Sequence, residues 1–328
     1  MHGRGVLTAK NERQQLQIEF LTTKKHRFCW ADKVAMRKLA KMVMDTGPLN
    51  ELNSHQGMNS FCDSDTTSRR RPLPEMGVRA YGVAAIVLGA AGFAWGDFAT
   101  NWQRVGPYVP YREALAYLTA AFETITGLAM LWRRTARTGA LLLTILYSIF
   151  TLFWVVQVCA VPLVYDGWGN IFEELSILIG GAVAYASLAP AGSPLAGKAG
   201  LIARLYGICP ISFAIVHLIN LAGVATWVPT WIPPGQMFWA ITAAIGFLLA
   251  AAAILSGIKA GLAARLLTAE IMGFEVLVWV PKLIADPHSH FNWAGNAISL
   301  AMVAAAWVVS DALNEPRRLY AKPRPSIP

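Results

Sequence analysis

Between Gly77 and Leu313 apolar residues run in eight long blocks, separated by short connections rich in Gly, Pro, Trp and charge. A helix of about 20 mostly apolar residues crosses a bilayer while satisfying its own backbone polar groups. The pattern predicts spans at 77–95, 113–132, 138–161, 169–188, 201–221, 237–256, 262–281 and 293–313. The blocks lack the dyad alternation of barrel strands. The expected fold is therefore an all-α membrane protein with eight transmembrane helices.

The last four blocks read as a diverged copy of the first four. Arg79-Ala-Tyr-Gly82 opens the first and Arg204-Leu-Tyr-Gly207 the fifth, 125 residues later. Leu142-Leu-Thr144 returns as Leu266-Leu-Thr268, and Trp168-Gly-Asn170 falls opposite Trp293-Ala-Gly-Asn296. Val109-Pro110 matches Ile232-Pro233. Four spans per unit give both copies one orientation, so the repeat is parallel, about an axis along the membrane normal. The predicted units are residues 76–190 and 200–315, each a four-helix bundle, followed by a basic cytoplasmic tail over 316–328.

Composition fits this picture: 55% of the 328 residues are hydrophobic and 14% charged. The net charge of +9 is topological and does not signal nucleic acid. With entry from the cytoplasm before Gly77, fifteen Lys/Arg fall on the inner side, including Arg69–Arg71, Arg133, Arg134, Arg137 and Arg317. Only Arg104, Arg112 and Lys282 fall outside. That asymmetry places both termini in the cytoplasm of a bacterial-type inner membrane. Residues 1–75 are polar, hold 13 Lys/Arg, and read as a disordered tail or as sequence preceding a true start at Met58 or Met76. A basic amphipathic helix over Phe28 to Met44 is the alternative there. The four cysteines show no CxxC pair, and no cleavable signal precedes the first apolar run.

At the second span the residues acquire a resemblance. Glu123-Thr-Ile-Thr-Gly127-Leu-Ala-Met-Leu-Trp-Arg133-Arg-Thr-Ala-Arg137, followed by an Ala/Leu run to Leu143, resembles the central signature of the DoxX family. Arg79 to Gly89 is similar to the family's opening helix. The likeness covers about 77–188, and more loosely 201–313, where Gly246 stands near the Glu123 position. It implies a four-helix bundle per unit. It also implies association with membrane redox complexes or quinone-coupled chemistry, although most relatives have no assigned activity.

Ionisable groups at membrane depth are candidates for function by default. Here they are Glu123 in span two, Glu173 and Glu174 in span four, His217 in span five, and Glu270 and Glu275 in span seven. Glu173 and Glu174 are expected to be solvated at the interface. Glu270 and Glu275 lie roughly 140° apart around a helix and do not form a dyad. A second candidate is the outer loop Lys282, Asp286, His288, His290, Asn292, Asn296. Its His-x-His pair offers metal ligands, yet no third ligand stands at a recognised spacing, so no metal is expected. The uncharged run Trp227 to Pro234 reads as an interfacial lip able to roof a lipophilic pocket, with Trp95, Asp97 and Trp102 as its counterpart.

No phosphate-binding loop, nucleophile elbow or haem attachment motif is present in the sequence. The reading that follows is a non-catalytic or redox-complex membrane component. In it, Glu123, Glu173, His217, Glu275, His288 and His290 line one outer vestibule. The alternatives are a proton-coupled transporter with Glu123 or Glu270 in a polar cavity between the units, and a quinone-binding subunit with a portal near Trp231.

Overall fold

The computed structural model describes residues 76–163, 165–190 and 192–314. The tail readings, Phe28 to Met44 included, lie outside these residues. The described elements are α1 (Met76–Trp95), α2 (Arg112–Leu131), α3 (Ala136–Ala160), α4 (Tyr165–Ser187), α5 (Pro194–Leu205) and α6 (Cys209–Ile219). They continue with α7 (Leu221–Ala225), α8 (Gln236–Ser256), α9 (Ala260–Phe274), α10 (Val280–Ala285) and α11 (His290–Asn314). A 3₁₀ turn joins α5 to α6, and a π turn, Glu275–Trp279, joins α9 to α10. No strand occurs among the described residues.

Local chemistry sets several of these boundaries. Ser193 caps α5, its Oγ accepting from the Ala196 amide at 3.2 Å, with Pro194 at the first helical position. α8 stops at Gly257, whose φ of 78° suits a residue without Cβ. The π turn precedes Pro281, which has no N–H to continue the ladder, and the Val280 amide bonds back to the Glu275 carbonyl.

Among the described residues, six helices are long and apolar enough to cross a membrane: α1, α2, α3, the combined run Pro194–Ile219, α8 and α11. These define a multi-pass integral membrane protein in contact with lipid. Two expected spans fall short of that measure. Glu173 and Glu174 lower the apolarity of α4, and α9 ends at the π turn after 15 residues.

Neighbouring helices pack in chain order, α1 on α2, α2 on α3 and α3 on α4, then α6 on α8, α8 on α9 and α9 on α11. The two sets are joined reciprocally: α4 packs on α5 and α6, α11 packs on α1, and α4 packs on α11. At the α4–α11 crossing a Cβ on Gly180 would fall on the Ala305 methyl. These two positions are 125 residues apart in the chain.

An offset one residue shorter recurs in packing. Around Gly82 the nearest atoms belong to Gly127, Met130 and Leu131, and around Gly207 to Ala251, Ile254 and Leu255. The second triplet is the first displaced by 124 residues. Buried positions of α2 (116, 120, 123, 126, 127, 130) and α8 (240, 244, 247, 250, 251, 254) follow that displacement at all six places. Glu123 is thereby in register with Phe247. The sequence places Gly246 near the Glu123 position, and the buried stripe sets the counterpart one residue further, at Phe247.

Candidate functional site

Glu123 is buried among α2's neighbours, and its Oε1 accepts from Gln103 Nε2 at 2.7 Å. Gln103 Oε1 in turn accepts from the Ala99 amide at 3.0 Å, so the α1–α2 connection folds into the bundle onto this carboxyl. Trp102 Nε1 donates to Glu173 Oε2 at 2.6 Å, and Trp154 Nε1 donates to the Trp102 carbonyl at 2.6 Å. The expected outer lip of the first set is therefore absent. Trp102 is inside, Asp97 pairs with Arg112, and Trp95 stacks on His290.

Glu174 corrects a second expectation, that of interfacial solvation. It is fully buried, neither carboxyl oxygen has a hydrogen-bond partner, and Glu123 lies within electrostatic reach. The cause is tertiary: α4 is covered by α3, α5, α6 and α11. An unpartnered buried carboxyl is costly. Glu174→Leu, similar in volume, is expected to raise stability by about 1–3 kcal/mol. A thermal melt in mild detergent checks this, and a fall in melting temperature would mean that the carboxyl is engaged.

Glu173 and His217 meet at a cavity of about 150 Å³ between the two sets. Trp102 and Glu173 come from the first set, and Phe213, His217, Phe247, Phe274 and Trp279 from the second. His217 Nδ1 lies 2.8 Å from the Phe213 carbonyl. An acceptor there fixes the proton on Nδ1 and leaves Nε2 as a lone pair, which is buried and unpartnered. Ser299 also lines this space, beside Glu275.

A second cavity, of about 590 Å³, is bounded by α8, α9 and the α7–α8 connection. Trp231 and Trp239, both exposed, belong to its lining together with Pro229, Ile232 and Leu277. Among the described residues Glu270 is the single ionisable side chain in that lining. Its carboxyl lies against Gly246, where a Cβ would stand 2.7 Å from Oε2. Gly246 thus leaves room for the Glu270 carboxyl, and Gly273 opens on free space. Glu270 and Glu275 diverge, the former to this cavity and the latter toward Ser299 on α11.

The six polar groups expected in one vestibule are dispersed. Glu173 and His217 share a cavity, Glu123 is sealed against Gln103, and Glu275 faces α11. His290 opens α11 with its ring stacked on Trp95 at 5.2 Å, while His288 is exposed in the preceding turn. No group of three His, Cys, Asp or Glu suited to a metal occurs among the described residues. Asp286 caps the His288 amide, and Asn292 Nδ2 donates to the Lys282 and Asp286 carbonyls, closing the loop. Asn296 is buried with an unpartnered Nδ2. Lys282 Nζ lies 3.2 Å from the Trp227 ring centre. Desolvation holds Lys282 below the usual lysine range, and the ring face opposes that shift by favouring the charged form.

Sequence reasoning missed Gln103, Phe247 and Trp279. Gln103 lies in a connection that depth arguments treat as wet. Phe247 and Trp279 look like ordinary core or lipid-facing aromatics until their neighbours are known. No family model, curated protein or solved structure matches the chain.

Proposed function

We propose that this chain is an eight-span inner-membrane protein of DoxX-like type, two parallel four-span units with both termini cytoplasmic. Its second unit carries a binding site for a lipophilic, ring-bearing ligand of the quinone class. The eight-span count rests on the apolar blocks and the charge asymmetry of fifteen inside to three outside. The duplication is supported by the α4–α11 crossing, where positions at the repeat spacing touch, as they must near a two-fold axis.

The single observation carrying the ligand reading is the cavity of about 590 Å³ with Glu270 as its lone ionisable lining group. Its volume falls in the range of small-molecule pockets, which are mostly apolar with few orienting polar groups. A carboxyl there donates O–H to a ring carbonyl or, ionised, accepts from a ring hydroxyl, so it serves either redox form of such a ligand. The exposed tryptophans at 231 and 239 fit a portal for a molecule arriving through lipid. The protein then acts as a membrane component beside a redox partner, with no catalysis by itself. Carriage is less well supported, since the cavity between the sets is small and contains neither Glu123 nor Glu270.

Mild-detergent purification followed by solvent extraction and mass spectrometry is expected to recover quinone near stoichiometry. Gly273→Phe, which fills open space in the lining, is expected to reduce recovery at least about tenfold with little change in melting temperature. Absence of quinone from the wild type, together with no saturable quenching of tryptophan fluorescence by a short-chain quinone, would refute this reading.

A further inference from the structure

The geometry points to a second binding site, for a small organic ammonium group, in the cavity between the two helical sets. Both ionisable groups of the lining suit a positively charged guest. Glu173 brings a carboxyl whose Oε2 is oriented by Trp102, and His217 presents the lone pair of Nε2. Five of the other eleven lining residues are aromatic, Trp102, Phe213, Phe247, Phe274 and Trp279, and most of the remainder are aliphatic. Ring faces attract cations, most strongly where water is excluded, and quaternary ammonium groups are the usual guests of such cages.

Among the described residues the lining contains no Lys or Arg. Elsewhere the protein stacks its own cations on rings: Arg104 on Trp154, Arg112 on Phe98, Arg137 on Tyr185 and Lys282 on Trp227. Among the described residues, Phe213, Phe247, Phe274 and Trp102 carry no such partner. Lys282 approaches Trp279 to 5.8 Å but belongs to the Trp227 face. A volume of about 150 Å³ admits a guest of benzene size, which is the size of a tetramethylammonium head.

The two sets diverge at this point. Where the first set buries Glu123 against Gln103, the second has Phe247 in register. A carboxyl paired within the wall is replaced by a ring, and the remaining acceptor, Glu173, reaches in from the first set. The site is therefore complete only when both sets are present.

Isothermal titration of the full chain in non-ionic detergent tests this, with tetramethylammonium chloride as probe. Sodium chloride at equal ionic strength and tert-butyl alcohol, a neutral molecule of similar shape, are the controls. Saturable binding of tetramethylammonium alone is expected, weakened at least about tenfold by Glu173→Gln and by Phe247→Leu. Gly273→Phe, in the other cavity, is expected to leave it unchanged, so this site and the quinone site fail or stand separately. Equal binding of tert-butyl alcohol, no saturable binding of the cation, or full affinity in folded Glu173→Gln would each overturn the proposal. Should either variant fail to fold, the cation-against-alcohol comparison on the wild type decides.

Discussion

Gly180→Leu is expected to abolish the folded protein. A Cβ at Gly180 meets Ala305, with the Ala305 Cα only 2.7 Å away. The obstacle is helix backbone, so no rotamer change relieves it. α4 and α11 must move apart, and between them they make the main contacts joining the two sets. In a membrane, where lipid is as apolar as the core, close packing of small residues is a principal source of helix association. Overpacking typically costs about 1–3 kcal/mol, and a leucine between two backbones lies at or beyond the upper end. Size-exclusion chromatography and thermal melts in detergent provide the readout. Gly180→Ala should be milder, and adding Ala305→Gly should restore part of the loss, since the two positions compete for one space. A monodisperse Gly180→Leu protein with an unchanged melt would show that this crossing does not hold the sets together.

Glu123→Ala is expected to lose about 2–4 kcal/mol, an unsatisfied buried amide donor at about 1–3 kcal/mol together with the void left by the side chain. The substitution opens a void and leaves the Gln103 amide without its acceptor, although Gln103 also holds the Ala99 amide of the α1–α2 connection. Glu123→Gln should cost less than about 1.5 kcal/mol, because a neutral acceptor of the same shape keeps the hydrogen bond. Melting temperatures of the two variants separate these cases. Equal losses would mean that the bond to Gln103 contributes nothing beyond volume. If Glu123→Gln also leaves the cellular phenotype intact, the role of Glu123 is to fix the fold.

Particular residues show how far the sequence could be read. The helical blocks were legible because runs of apolar residues and their Gly and Pro punctuation act locally; Gly257 ends α8 by a rule that needs no tertiary information, whereas the start of α5 at Pro194 lies ahead of the expected 201. The recurrence of Tyr81-Gly82 as Tyr206-Gly207 was legible in the sequence, and both tyrosines are buried. Register within the second helix of each set was not. A one-residue shift turns a helix by about 100°, and only burial distinguishes Phe247 from Gly246 as the counterpart of Glu123. The candidate site was less legible still. Glu173 and Glu174 are adjacent in sequence, yet one lines a cavity and the other is sealed without partners. Which of two neighbouring helix positions faces a void depends on what the other helices present there.

By itself the sequence determined the class of this protein and the approximate extent of most of its helices. Those properties follow from length, apolarity and local capping, which each segment carries within itself. The tertiary structure alone decided that α4 and α11 meet at Gly180 and Ala305, that Glu123 is bound to Gln103, and that Glu270 opens on a lateral cavity. It alone brought Glu173 to His217 across the join between the sets. Such pairings depend on the volumes and orientations of side chains far apart in the chain, and no local pattern encodes where two packed surfaces leave a space.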